Sequence, residues 1–377
     1  MGFKIGKADL KFALDLCAKA LADRDQEEMI YRSVRIQTFE EAGKHYVALS
    51  SNGGFNAIAT CGYPIEDWDG DIDVLVECQK LVNVISKATV DFIKFKKLDS
   101  EKLLVKANGE NKLSFLSSDI MAEFAEFDQE KSIGSMKVKN FVKLCRLATP
   151  FSVDDIHKAP LIGLCIDNDN LYATDEKKGH TLLKIGLNLP MQLNFNPVAS
   201  EMVKVFDGES IINFYLGKMS SADSYTHLIM IVDGVRMFVL KYQTQYPSHI
   251  MQQINQRCAT NQSSITFSKS SALQVLSRLS IFVDDNDILG VTPIKDNVIL
   301  EVIDLKHNEE SKEILPVKLK VEESLMEHRI CISLKDFKVI LETLDCEEVT
   351  VNFGSGHFLS IVDDSSVCWF VPKNIKS

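Results

Sequence analysis

One pattern occurs three times in this chain, and it constrains the fold more than any single motif does. The segments "GKADLKFALDLCAKAL" from position 6, "SMKVKNFVKLCRLAT" from 135 and "FSKSSALQVLSRLSIF" from 267 each place apolar residues at helical spacing. The stripes are Leu10, Leu14, Cys17 and Leu21, then Val138, Val142 and Cys145, then Ala272, Val275, Leu276 and Leu279. Each segment is therefore predicted to be an amphipathic helix with one buried face. Their starts lie roughly 130 residues apart, a repeat of domain size. A second helix is predicted in each repeat, at 76–89, 196–207 and 333–345. Alternating apolar stretches follow, clearest in "EEVTVNFGSGHFLSIV" (347–362), where Val349, Val351 and Phe353 share one face ahead of a Gly-Ser-Gly turn. That is the pattern of a hairpin. Helix, strands, helix, strands, repeated three times, predicts an α+β protein of three domains: 1–130, 131–262 and 263–377.

The net charge of −11 argues against a nucleic-acid partner only if the two signs are mixed, because phosphate binding depends on where Lys and Arg sit. Here the cations fall on the six predicted helices: Lys7 and Lys11, Lys80 and Lys87, Lys137, Lys139, Lys143 and Arg146, Lys204, Lys269 and Arg278, and Lys335 and Lys338. The stretch 137–147 has four basic residues and no acidic one, and Lys139, Lys143 and Arg146 follow i, i+4, i+7 spacing. A single lysine on a helix is ordinary solvation. Cations on the first helix of all three repeats predict a basic surface on an acidic protein.

No apolar run approaches the ~18–20 residues that span a bilayer, and "MGFKIGKADLKF" has no apolar signal core, so a cytoplasmic protein without a membrane partner is expected. Nine cysteines are scattered singly, with no CxxC pair. They read as buried thiols in a reducing compartment, and neither a metal site nor a cofactor is expected.

The segment "YATDEKKGHTLLKI" (172–185) sets Asp175 and His180 five positions apart. No G-x-S-x-G, H-E-x-x-H or paired-carboxylate motif accompanies them, so catalysis is not expected. "DWDGDID" (67–73) fails as a calcium loop: its Gly is fourth, and Cys78 stands where the twelfth-position Glu belongs. It reads as a strand entry. "FGSGH" (353–357) has no helix after it to bind phosphate.

The order and spacing of these segments resemble the bacterial sliding clamp family, the β subunit of the replicative DNA polymerase III, over almost the whole chain. "FKIGKADLKFAL" resembles the family's opening strand and helix, and "DGDIDVLVECQKLVNVI" its strand into the second helix. "LYATDEKKGHTLL" is similar to the domain 2 signature, and "FVLKYQTQYPSHI" to the aromatic-Pro step after it. "LSRLSIFVDDNDILGV", "NEESKEILPVKL" and "CWFVPK" resemble domain 3. The resemblance implies three repeated DNA-clamp domains in a noncatalytic processivity factor. It further implies a head-to-tail homodimer, whose ring lines its hole with two helices per domain and encircles double-stranded DNA nonspecifically.

By the same resemblance, Arg24 stands where the family contacts DNA. Leu113 and Phe115 would meet Ile281 and Phe282 of a second copy. A cleft for short peptides of the polymerase, clamp loader and repair proteins would be lined by Thr174, Gly179, His180, Thr181, Leu182, Pro247, Met251, Phe370, Val371 and Pro372. Three departures suit a divergent or phage-borne member: the loop from Thr174 to His180 is lengthened, Thr181 replaces the family's Arg, and the tail reads "VPKNIKS". The alternatives are a clamp-like protein never loaded on DNA, acting as a decoy or an inhibitor-resistant spare, and an enzyme on a clamp-like scaffold.

Overall fold

The computed structural model describes residues 1–21, 28–153, 155–187, 189–283, 287–304, 309–354 and 358–373. Among them are seven α-helices: α1 (Lys7–Ala18), α2 (Cys78–Ser86), α3 (Val138–Ala148), α4 (Ala199–Val203), α5 (Ser248–Cys258), α6 (Lys269–Leu279) and α7 (Leu334–Thr343). All six predicted helices form, and α5 is an addition. Its stripe of Met251, Ile254 and Cys258 is helical in spacing but set among polar residues, which hides it from an apolar-pattern reading.

Three details differ from the sequence reading, the first being that Leu21 lies past the end of α1 and is only half-buried. The buried stripe of α3 is Val138, Phe141, Cys145 and Ala148, because Phe141 and not Val142 points inward. The helix expected at 196–207 shrinks to the five residues of α4. The Asn196 carboxamide accepts the Val198 N–H at 2.9 Å and Pro197 has no N–H, so the segment opens as a turn. At its far end Phe206 N–H bonds the Val203 carbonyl at 3.1 Å, closing the helix with another turn.

The chain divides into two compact units, Met1–Val142 with Phe195–Tyr242, and Lys143–Asn194 with Gln243–Ser377. The first holds a 14-stranded antiparallel sheet. Its main path runs from Gly2–Gly6 through Phe92–Lys97, Lys102–Lys106, Glu110–Ser117, Asp73–Glu77, Ser33–Glu41, Lys44–Asn52 and Asn56–Ala59 to Val235–Leu240, His227–Val232, Ile211–Lys218 and Glu126–Phe127. Asn56–Ala59 pairs with Val235–Leu240 in the register Ile58 to Met237, which joins strands far apart in sequence. Behind the sheet, α1 and α2 bury Leu10, Leu14, Cys17, Leu81 and Ile85.

The second unit holds a nine-stranded and a four-stranded sheet. Strands Glu348–Phe353 and Leu359–Val362 are antiparallel, with Asn352 opposite Ser360, as the hairpin pattern requires; its tip at 355–357 lies outside the described residues. Ser268 and Ser333 cap α6 and α7 by accepting the N–H of Ser271 and Asp336.

One local device recurs at even spacing. The first residue of α1, Lys7, donates its N–H to the Asp91 carbonyl at 2.8 Å; the first residue of α3, Val138, to Ser210 at 2.9 Å; and the first residue of α6, Lys269, to Glu347 at 2.7 Å. Each time the acceptor lies just beyond the second helix of the same predicted repeat. The Lys7 ammonium also bonds the Ala88 carbonyl, and that of Lys269 bonds Leu344 at 2.8 Å.

The carboxylates of 67–73 are dispersed. Asp67 pairs with Lys94, Asp69 with the N-terminus and Asp73 with Arg35, and Asp73 opens a strand. Seven of the cysteines are buried, Cys61 is half-buried and Cys346 exposed. No described helix is long and apolar enough to cross a membrane.

Candidate functional site

The helix cations are mostly engaged. Lys11 pairs with Asp15 at 3.4 Å, Lys80 with Glu77 at 2.6 Å, Lys204 with Glu201, and Arg278 with both oxygens of Glu313. Lys137 and Lys139 share Glu209, the former at 2.7 Å, while Lys143 and Arg146 share Asp345 at 2.8 and 2.7 Å. The Glu209 carboxyl is held down to about 2 by its hydrogen bonds to Lys137 and Lys139, and that of Asp345 is lowered by those from Lys143 and Arg146. The acid-free stretch in the sequence thus receives two acids from elsewhere in the fold. Lys7 and Lys269 are half-buried, their ammonium groups bonded to helix-end carbonyls. Lys87, Lys335 and Lys338 carry no ion pair among the described residues, and Arg24 lies outside them.

The ten expected cleft residues all belong to the second unit, at two depths. Thr174, Gly179, His180, Thr181, Leu182, Met251 and Phe370 are buried; Pro247 and Pro372 are half-buried, and Val371 is 38% exposed. Strands Asn170–Thr174 and Lys178–Leu182 form a hairpin, and the second pairs with Ser366–Phe370, setting Gly179 opposite Trp369 and His180 opposite Cys368. A Cβ on Gly179 would lie 2.4 Å from the Trp369 ring, so the glycine admits an indole of this chain. Thr181 accepts the Asn255 carboxamide N–H at 3.0 Å, tying the strand to α5, and Met251 packs with Tyr172, Tyr246 and Trp369. Ile250, on the first turn of α5 beside Pro247, is exposed and was not anticipated.

Asp175 and His180 do not meet. Asp175 Oδ1 accepts the N–H groups of Lys177 and Lys178 at 2.9 Å each, which fixes the turn. His180 Nδ1 lies 3.0 Å from the Leu147 carbonyl, so Nδ1 carries the proton, and the ring packs 4.9 Å from Phe151. Lys178 is not the free rim donor that its place in the loop suggests. It is buried, bonded to Asp336 at 2.5 Å and Asp175 at 3.2 Å. Burial pulls its pKa down, but Asp336 and Asp175 outweigh burial and the net shift is upward. Beside it, Val371 donates its N–H to the Lys177 carbonyl at 2.8 Å and seats the tail on the loop.

Burial lowers the pKa of His180 against the opposing Leu147 bond, and burial lowers His227 as well. Such histidines bind protons more readily unfolded, so stability is complete above the unfolded value of 6.5 and declines as pH falls through it. Urea midpoints should therefore drop from about pH 7.5 to about pH 5.5, and His180→Asn should flatten that drop. An unchanged slope in the variant would assign the acid sensitivity elsewhere.

Of the four expected contact residues, Ile281 is 78% exposed, Leu113 and Phe282 are half-buried, and Phe115 is already buried with the Lys97 ammonium 5.1 Å from its ring. Ile314, absent from the sequence expectation, is 62% exposed on the end strand Glu309–Pro316 of the four-stranded sheet.

Among solved structures, the chain is similar to the DNA polymerase III subunit β of Pseudomonas aeruginosa (TM-score 0.84, 15% identity, 99% of this chain and 100% of that one). It is also similar to the β subunit of Streptococcus pyogenes (0.83, 14%, 100% of both) and the sliding clamp of Bacillus subtilis (0.82, 15%, 100% and 99%). No protein-family model and no curated protein matches the chain. At such identity the likeness shows the fold, and the fold is that of the DNA polymerase III β sliding clamps.

Proposed function

We propose that this chain is a noncatalytic DNA polymerase processivity clamp. Two copies close head to tail around duplex DNA, slide on it, and tether polymerase, clamp loader and repair proteins in the cytoplasm. The observation that carries the reading is the full-length fold likeness, reinforced by the thrice-repeated seating of a first helix just beyond the second. That repetition supports domains at 1–130, 131–262 and 263–377. Nonspecific phosphate contact needs no base readout, so exposed cations such as Lys87 and Lys335, with the half-buried Lys338, suffice. Topology supplies the retention. Mass in solution tests the assembly: twice the chain mass of 42.3 kDa is expected, and a monomer at micromolar concentration would reject the ring.

Partner peptides are proposed to dock on Val371, Pro372 and Pro247, backed by the buried layer from Thr174 to Leu182. Val371→Glu should weaken a fluorescein-labelled peptide from the cognate polymerase by about ten- to a hundredfold without unfolding the chain. Leu182→Ala is the poorer probe: Leu182 is core, and its truncation typically costs about 2–5 kcal/mol of stability. Unaltered anisotropy titration of Val371→Glu would move the docking surface elsewhere.

A further inference from the structure

The cations at 137–146 meet the same arrangement twice. Each oxygen of Glu209 takes one ammonium, from Lys137 and Lys139, and each oxygen of Asp345 takes one cation, Lys143 and Arg146. Neither acid is local to the stretch, and both are held by backbone. The Glu209 turn is closed by its own N–H on Asp207 Oδ1 at 2.9 Å and by the Lys139 N–H on the Gly208 carbonyl at 3.0 Å. The segment carrying Asp345 is pinned on both sides by Lys269, whose ammonium bonds the Leu344 carbonyl and whose N–H bonds Glu347.

We infer that Glu209 and Asp345 are built-in competitors for phosphate, holding these four cations in place while keeping their grip on the duplex weak. This rests on the reading of the stretch as DNA-facing. The carboxylates are 58% and 49% exposed, so each pair is solvent-screened and a phosphate can displace it. They lower affinity without blocking contact. A cation already paired with a carboxylate neutralises less phosphate charge, so fewer counterions leave the DNA and the salt dependence is shallower than the cation count implies. For a protein held by topology, weak grip permits movement along the duplex.

The test is fluorescence anisotropy of a labelled 30-base-pair duplex against salt, with the full chain and two variants. Glu209→Gln with Asp345→Asn should raise affinity several-fold at low salt and steepen the salt slope by roughly one to three, since each added phosphate contact adds about 0.9. The charge reversal Lys139→Glu, Lys143→Glu and Arg146→Glu should lower affinity and flatten the slope. If the reversal does so but the neutralised variant is unchanged or weaker, the competitor role is wrong while the DNA-facing reading stands. If neither changes binding, that reading itself fails. Single substitutions, each checked by circular dichroism, separate the two carboxylates should the double variant misfold.

Discussion

Ile281→Asp with Ile314→Asp should leave the chain folded and monomeric. Both isoleucines are largely exposed, and the 3-10 turn that carries Ile281 packs against the strand that carries Ile314. That strand ends its sheet and leaves a row of N–H and C=O groups unpaired among the described residues, a template for another strand. Strand Glu110–Ser117 offers a counterpart, because Asp73–Glu77 covers it only from Phe115 to Ser117 and leaves one side of 110–114 open. In a head-to-tail ring each contact forms twice. Burying an isoleucine contributes about 1.5–3 kcal/mol, so four per ring supply on the order of ten kcal/mol, and aspartates would add the desolvation of charge. Sedimentation should give 42.3 kDa with an unchanged circular dichroism spectrum. A dimer surviving both substitutions would place the contact elsewhere.

Lys178→Met should destabilise the turn between strands Asn170–Thr174 and Lys178–Leu182. The ammonium joins Asp175, in the turn, to Asp336, in the first turn of α7, and its side chain is only 11% exposed. Removing it leaves two carboxylates close together with no cation between them. Breaking a buried pair from one side costs about 3–5 kcal/mol, and because the aspartates keep roughly a quarter of their exposure, about 2–3 kcal/mol is expected here. That corresponds to a Tm lower by about 5–10 °C. Asp336→Asn should cost less, and a double-mutant cycle between Lys178 and Asp336 should return a coupling above about 1 kcal/mol. Simple additivity would reduce the bridge to a surface contact.

The sequence carried the repeat because helical periodicity survives when residue identity does not. Leu10, Leu14 and Cys17 on α1, and Ala272, Val275, Leu276 and Leu279 on α6, are buried as their spacing required. Phe141 displaced Val142 because both fit a broad apolar stripe, and the Phe141 ring packs against those of Phe195 and Phe214. Charge was harder to read. The run from Lys137 to Arg146 looked unopposed, since Glu209 and Asp345 are brought to it only by tertiary structure. The quoted loop shows the same limit. Gly179 lies against Trp369, nearly two hundred residues on, which no local pattern announces. Val371 is exposed and Pro372 half-buried, whereas Leu182 and Phe370 belong to the core beneath.

The most direct test of encirclement separates topology from affinity. Dissociated subunits would be allowed to reassociate with a singly nicked circular plasmid, then passed over a sizing column at high salt, with and without a restriction cut that linearises the DNA. A ring should co-elute with the circle, leave it once the DNA is cut, and fail to be retained when Ile281 and Ile314 are aspartate. Equal retention on circular and linear DNA, or retention of the monomeric variant, would contradict encirclement.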